Sequence, residues 1–332
     1  MVPHTVPSVT ENTRHIVDGI IRGDRRAIAR AISRVENEAS DANSMLAVLY
    51  PRVGSAYRIG ITGPPGAGKS TLTNKLARLY RDEGRKVGII AVDPTSPFTG
   101  GALLGDRIRM TDVEVDAGVF IRSMASRGSL GGLSRKAREA ADILDAGGMD
   151  VVIFETVGVG QSELDIAGAA DTTVVVLVPE SGDGIQAMKA GLMEIADFFV
   201  LNKADRPGAE QAVMFIKMIL GFRPHDESTW MPDVVKTQAN EGVGIDAVAH
   251  ELERHRQHLT SSGGLNARRA QRLRNRIREI VDEELHVVFW NDQRTAMLDE
   301  RVTSLIAGTR TPFDVAQDLI GHFRSAVGHA RT

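Results

Sequence analysis

The most constraining feature of this 332-residue chain is Gly63-Pro64-Pro65-Gly66-Ala67-Gly68-Lys69-Ser70. It lies between the apolar run Arg58-Ile59-Gly60-Ile61-Thr62 and a helical stretch from Thr71 to Tyr80. A glycine-rich loop between strand and helix turns its backbone N–H groups inward around phosphate. The helix N-terminus behind it adds partial positive charge. The motif is credible only after a buried strand, so it constrains the fold as well as the ligand. Within it, Lys69 is placed to reach the β- and γ-phosphates and Ser70 to ligate magnesium, with Gly63, Pro64, Pro65, Gly66, Ala67, Gly68 and Thr71 completing the cradle.

Further short apolar runs follow. Val87 to Val92 leads into Asp93, Val119-Phe120-Ile121 stands alone, and Val151 to Phe154 leads into Glu155. Val174 to Val178, Phe198 to Leu201 and Val234-Val235 complete the set. Continuous β-branched runs that end in polar or glycine-rich turns are what strands buried on both faces look like. Alternation with helical stretches predicts an α/β fold with a doubly wound, mostly parallel sheet, whose ligands bind beyond the carboxyl ends of the strands. Helical segments flank this core. Ile16, Ile20 and Ile21 mark a first helix, and Gly23-Asp24 reads as a stop and a new N-cap. Ile28, Ile32 and Val35 mark a second helix, and Ala42 to Leu49 a third. The expected organisation is an N-terminal helical extension (1–56), a P-loop domain (57–260) and a helical C-terminal arm (261–332) that opens at Ser261-Ser262-Gly263-Gly264. A last helix is expected from Thr311-Pro312.

Composition removes several alternatives. There are no cysteines, which excludes disulfides, thiolate metal sites and a cysteine nucleophile, and fits a reducing cytosol. A net charge of −3 gives the whole chain no electrostatic case for nucleic acid or a membrane surface. No apolar run approaches the roughly 18 residues of a membrane span. The N-terminus lacks the basic start of a signal peptide, so a cytoplasmic protein is expected. The arginines from Arg268 to Arg278 are followed at once by Glu279, Asp282, Glu283 and Glu284 and lack stacking aromatics, so they read as a solvated face.

Asn202-Lys203-Ala204-Asp205 follows the run 198–201. Guanine offers N1–H and a 2-amino group, two donors that the Asp205 carboxylate accepts together, whereas adenine offers an acceptor at N1. Lys203 would lay its stem along the base and Asn202 would tie loops together, with Thr237-Gln238-Ala239 supplying contacts to the base edge. GTP or GDP is therefore the expected nucleotide. Glu155 ends its strand as a hard acidic ligand for magnesium, directly or through water. Gly158 is placed for its N–H to meet the γ-phosphate. Asp93 and Asp106 flank a segment rich in Gly, Pro, Ser and Thr that suits a switch; either can also be read as a turn or cap residue.

The phosphate loop, Asp93-Pro94-Thr95-Ser96-Pro97, the run Glu155-Thr156-Val157-Gly158-Val159-Gly160-Gln161-Ser162-Glu163 and Asn202 to Asp205 together resemble the MeaB/ArgK/MMAA family. Its members are accessory GTPases of adenosylcobalamin-dependent methylmalonyl-CoA mutase. The resemblance implies a GTPase that is slow alone and stimulated by its partner, a chaperone that protects, loads or reactivates that mutase or a related acyl-CoA mutase. It implies a homodimer formed through the C-terminal region. It also implies that Ser70, Asp93, Asp106 and Glu155 surround magnesium, with Lys69, Asp93, Glu155, Gly158 and Lys189 serving hydrolysis. The stretch Glu180 to Lys189 resembles an additional switch; the plainer reading of Lys189 is an exposed lysine. The family lies within a dimer-forming class of GTPases, and Pro64 stands where many relatives in that class carry a lysine that crosses to the partner's nucleotide, so the resemblance implies that this route of activation is closed here.

Three other readings compete. A nickel metallochaperone GTPase would need Cys or His ligands, and His250, His255 and His258 read more simply as a polar helix face. A kinase linked to amino-acid transport would need a phosphoacceptor site for which no motif stands out. A binding protein that never turns its nucleotide over is the third.

Overall fold

The computed structural model describes residues 9–94, 116–126, 135–156, 165–179, 190–222, 226 and 229–329. Seven strands form one sheet: β1 (Tyr57–Thr62), β2 (Val87–Pro94), β3 (Val119–Ser126), β4 (Val151–Thr156), β5 (Thr172–Leu177), β6 (Phe198–Leu201) and β7 (Val234–Lys236). Their order is β3-β2-β4-β1-β5-β6-β7, and every pairing is parallel. Each of the seven apolar runs became a strand. The β-branched runs leave no face for water, so β1, β4, β5 and β6 are buried along their whole length.

The sequence punctuation also holds at the N-terminal helices α1 (Glu11–Ile21), α2 (Arg25–Glu36) and α3 (Ala42–Leu49). Gly23 takes φ of +75°, and Asp24 caps α2 by accepting from the Arg26 and Ala27 amides at 2.7 and 3.2 Å. These helices share a core with α5 (Arg135–Ala146) and with one face of the sheet, through Ile20, Ile28, Ile32, Met45, Ile143, Val152 and Phe154. The other face packs on α4 (Lys69–Asp82), where Ile59, Ile61, Ile153 and Val176 meet Leu72 and Leu76. Residues 190–195 form the short helix α6. Further along the sheet, α7 (Ala209–Leu220) covers Val175, Leu177, Phe199 and Leu201. Helix α8 (Ile245–Ser261) packs Val248 and Leu252 onto the α4 side.

The chain divides into two compact units, residues 1–268 and 269–332. The division falls inside the long helix α9 (Gly264–Phe289), because Arg268 is bonded into the first unit. The second unit holds the rest of α9 with α10 (Asp292–Ile306) and α11 (Pro312–His329). Pro312 opens α11 as expected. Thr311 and Asp314 cap each other there, through the Asp314 amide to Thr311 Oγ1 and the Thr311 amide to Asp314 Oδ2. Within this unit Leu273, Ile277, Val281, Leu285 and Val288 are exposed, while Val315 and Leu319 are buried.

Candidate functional site

The motifs gather at one edge of the sheet because parallel strands end together. The phosphate loop leaves β1, Glu155 and Thr156 end β4, Asn202 follows β6 and Thr237 follows β7. The central strand β1 pairs with β4 on one side and β5 on the other, which makes this edge the place where the sheet's winding reverses.

Backbone conformation explains the glycines. Gly63 has φ of +135°, and a Cβ there would lie 2.1 Å from the Val176 carbonyl oxygen. At Gly68, with φ of +91°, a Cβ would meet Asn202 Nδ2 at 2.2 Å. A side chain at either position would push the loop off the strands that support it. Lys69 is buried. Its ammonium donates to the carbonyls of Gly63 at 2.8 Å and Pro64 at 3.0 Å, so it folds back under the loop. Ser70 Oγ donates to Glu155 Oε1 at 2.5 Å. A hydroxyl from a helix N-terminus and a buried carboxylate from a strand end thus face each other beside the phosphate loop. Both are hard oxygen donors of the kind magnesium takes.

The base-reading side is built differently. Asn202 is buried and joins three segments: Nδ2 donates to the Ala67 carbonyl at 2.9 Å, while Oδ1 accepts from Thr237 Oγ1 at 3.1 Å and the Ala239 amide at 3.0 Å. Lys203, in the left-handed region at φ of +56°, donates to the Gly66 carbonyl at 2.9 Å. The Ala204 amide donates to the Thr237 carbonyl at 3.0 Å. Gln238 forms a small antiparallel bridge with Val243. Asp205 is exposed at the end of this frame. The neighbouring residues Thr71 and Ala67 complete the loop-to-helix junction, the first half-buried and the second buried.

The structure therefore brings together residues 63–71, Glu155, Asn202, Lys203, Asp205 and residues 237–239. Asp93 lies in β2, one strand over from Glu155, with Ala91 in register with Glu155. Asp106, Gly158 and Lys189, together with most of both switch segments, lie outside the described residues. Two residues at this edge were missed as a pair. Thr62 and Thr156 are both buried, and Thr156 Oγ1 donates to Thr62 Oγ1 at 3.0 Å. The signal available in the sequence was a threonine closing each of two buried strands.

One expectation is corrected. His255 is not part of a polar face: it is fully buried, with Nδ1 at 2.7 Å from Thr172 Oγ1 and its ring 4.7 Å from that of Trp230. Burial lowers its pKa to about 4. Its position on the inward side of α8 wins over the helical spacing it shares with His258. Among the described residues, no three acidic or histidine side chains gather as metal ligands would. No described helix is long and apolar enough to cross a membrane.

Comparison with known proteins agrees with this geometry. Residues 28–294 match the family described as "Methylmalonyl Co-A mutase-associated GTPase MeaB". A Pyrococcus abyssi protein that carries a GTPase name is 52% identical over 268 residues, spanning 80% of this chain and 83% of its own length. The mouse "Methylmalonic aciduria type A homolog, mitochondrial" is 31% identical over 329 residues, 92% of this chain and 78% of that protein. A crystal structure titled "LAO/AO transport system kinase" superposes with a TM-score of 0.73 at 29% identity, covering 96% of this chain and 99% of that one. The fold is that of a P-loop GTPase, and hydrolysis of GTP is its activity. With a phosphate loop, a strand-end glutamate and a guanine-type frame on one sheet edge, the chain belongs to the MeaB family of mutase-associated GTPases.

Proposed function

We propose that this GTPase serves as a chaperone for an adenosylcobalamin-dependent acyl-CoA mutase of the methylmalonyl-CoA mutase type. The observation that carries the reading is the match of residues 28–294 to a family described by its association with that enzyme. The name of the mouse relative points the same way.

The chemistry at the site is transfer of a phosphoryl group to water, in which positioning and electrostatics dominate. Lys69 and the backbone N–H groups of the non-proline residues in 63–70 hold the phosphates and offset charge on the β–γ bridge. Asp205 selects guanine, while Asn202 and Lys203 keep the base-reading loop locked to the phosphate loop. Ser70 and Glu155 would hold magnesium, with Asp93 and Asp106 proposed to join them; the ion would supply positive charge that offsets negative charge on the phosphates. Gly158 and Lys189 would report the nucleotide state to the partner. With Pro64 in place of a crossing lysine, hydrolysis is slow alone and rises when the mutase binds. The C-terminal arm forms a homodimer, in keeping with the row of exposed apolar residues from Leu273 to Val288. The protein works in the cytoplasm.

Co-purification with candidate mutases, with and without a non-hydrolysable GTP analogue, tests this reading. The expected result is nucleotide-dependent capture of one mutase and faster GTP hydrolysis when that mutase is added. Unchanged hydrolysis in the presence of every cobalamin-dependent acyl-CoA mutase would refute it.

A further inference from the structure

The backbone ladder between β1 and β4 stops one residue short of the functional edge. The register between β1 and β4 runs from Tyr57↔Val151 to Ile61↔Glu155. Thr62 and Thr156 follow that last pair, each still in register with its outer neighbour, Thr62 with Val175 of β5 and Thr156 with Val92 of β2. The hydroxyl bond between Thr156 and Thr62, at 3.0 Å, joins the two strands just beyond their last ladder pair. Thr62 is the residue before Gly63, and Thr156 the residue after Glu155. The bond therefore ties the root of the phosphate loop to the strand end that carries the carboxylate.

Successive side chains alternate across a sheet. Glu155 shares a face with Ile153 and reaches Ser70 on the α4 side. Thr156 shares the opposite face with Val152 and Phe154, among the apolar residues packed under α1–α3 and α5. There a valine would occupy the same volume and suit a strand equally well. A buried hydroxyl pair is close to neutral for stability when compared with an apolar pair of the same shape, so folding gives no reason for it. Direction does: the bond sets how far one strand end can slide past the other.

We infer that Thr156 is a positioning residue which, through its bond to Thr62, holds the Glu155 carboxylate in register with the Ser70 hydroxyl. This rests on the reading of Ser70 and Glu155 as the magnesium-holding pair. Partners that orient a metal-binding carboxylate typically carry 10- to 100-fold in metal affinity or activity.

The test uses the full chain and fluorescent GDP, with retention of the nucleotide measured across a magnesium titration. Thr156→Val is expected to raise the magnesium concentration for half-maximal retention about 10-fold, with GDP affinity in the absence of magnesium unchanged. Thr156→Ser, which keeps the hydroxyl, is expected to restore the wild-type midpoint. The double variant Thr62→Val/Thr156→Val should show the same magnesium shift with a thermal midpoint close to wild type, separating register from stability. Glu155→Gln is run alongside. A shifted midpoint in Glu155→Gln with a wild-type midpoint in Thr156→Val overturns the positioning role and leaves the metal pair standing. An unshifted Glu155→Gln overturns the metal pair and the positioning role with it. Equal loss of magnesium-free binding in Thr156→Val would show general loosening and also overturn the proposal.

Discussion

The two ends of the sheet are both polar, yet they are polar in opposite ways. At the carboxyl end, beside the Ser70–Glu155, Thr156–Thr62 and Thr237–Asn202 pairs, side chains grip loop backbone: Lys69 holds the carbonyls of Gly63 and Pro64, Lys203 that of Gly66, and Asn202 that of Ala67. At the amino end, side chains mostly grip one another. Tyr57 bonds to Thr172, Thr172 to His255, and Arg268 clamps both oxygens of Asp197 at 2.7 and 2.9 Å. Asp197 also accepts from the Thr173 amide, and Trp230 donates to its carbonyl. The first arrangement is a frame of loops whose ammonium groups can turn to an anion. The second is a set of mutual partners, and opening it costs stability. Polarity alone does not mark a functional site; the class of partner does.

Substitutions at the two ends should therefore separate activity from stability. The largest effect is expected at Lys69. Lys69→Ala should lower the rate of phosphate release on the order of 1000-fold, as loss of preorganised charge stabilisation does, while the thermal midpoint without nucleotide stays within a few degrees of wild type. A variant that keeps its rate would end the assignment of this edge as the catalytic one. Next, Asp205→Asn removes a carboxylate acceptor for two guanine donors. Binding of GTP should fall on the order of 100-fold with a gain for xanthosine triphosphate, since hydrogen bonds to a charged group contribute about 1.5–3 kcal/mol. Competition between the two nucleotides reads this directly.

At the opposite end the expected changes appear in stability. The pKa of His255 is lowered by burial from an ordinary value near 6.5 to about 4. Between those values the unfolded chain binds more protons than the folded one, so stability rises with pH across that window and is lost as pH falls through it. The contribution is at most about 3 kcal/mol. Replacing His255 by Gln should flatten the pH dependence of the denaturant midpoint between pH 4 and 6.5; an unchanged slope would place the effect elsewhere. The smallest effect belongs to Arg268, whose side chain is 42% exposed although its partner Asp197 is buried. With solvent screening, Arg268→Ala should cost about 1 kcal/mol, seen as a fall of a few degrees in the thermal midpoint with GTP hydrolysis unaltered. A drop in hydrolysis here would break the contrast between the two ends.

The functional edge was readable in the sequence because its requirements are local. Gly63, Gly66 and Gly68 must adopt positive φ, Lys69 must follow them, and Glu155 and Asn202 must each come straight after an apolar run. The amino end was not readable in this way. Its members Tyr57, Thr172, Asp197, His255 and Arg268 are scattered over more than half the chain and share no spacing. His255 looked like a surface residue beside His258 because nothing in its neighbourhood says which side of α8 turns inward. Thr62 and Thr156 fell between these cases: each was visible as a strand end, but their bond depends on which strands lie side by side.

The sequence by itself determined the strands, the phosphate loop, the guanine-reading tetrapeptide and the Asp24 cap of α2. These follow from backbone conformation and from apolar runs that cannot face water. Tertiary structure decided the strand order, which sets β4 beside β1 and so brings Glu155 to Ser70 across 85 residues. It also decided which polar groups are closed off in pairs, because burial depends on what packs above a residue and not on its neighbours in the chain.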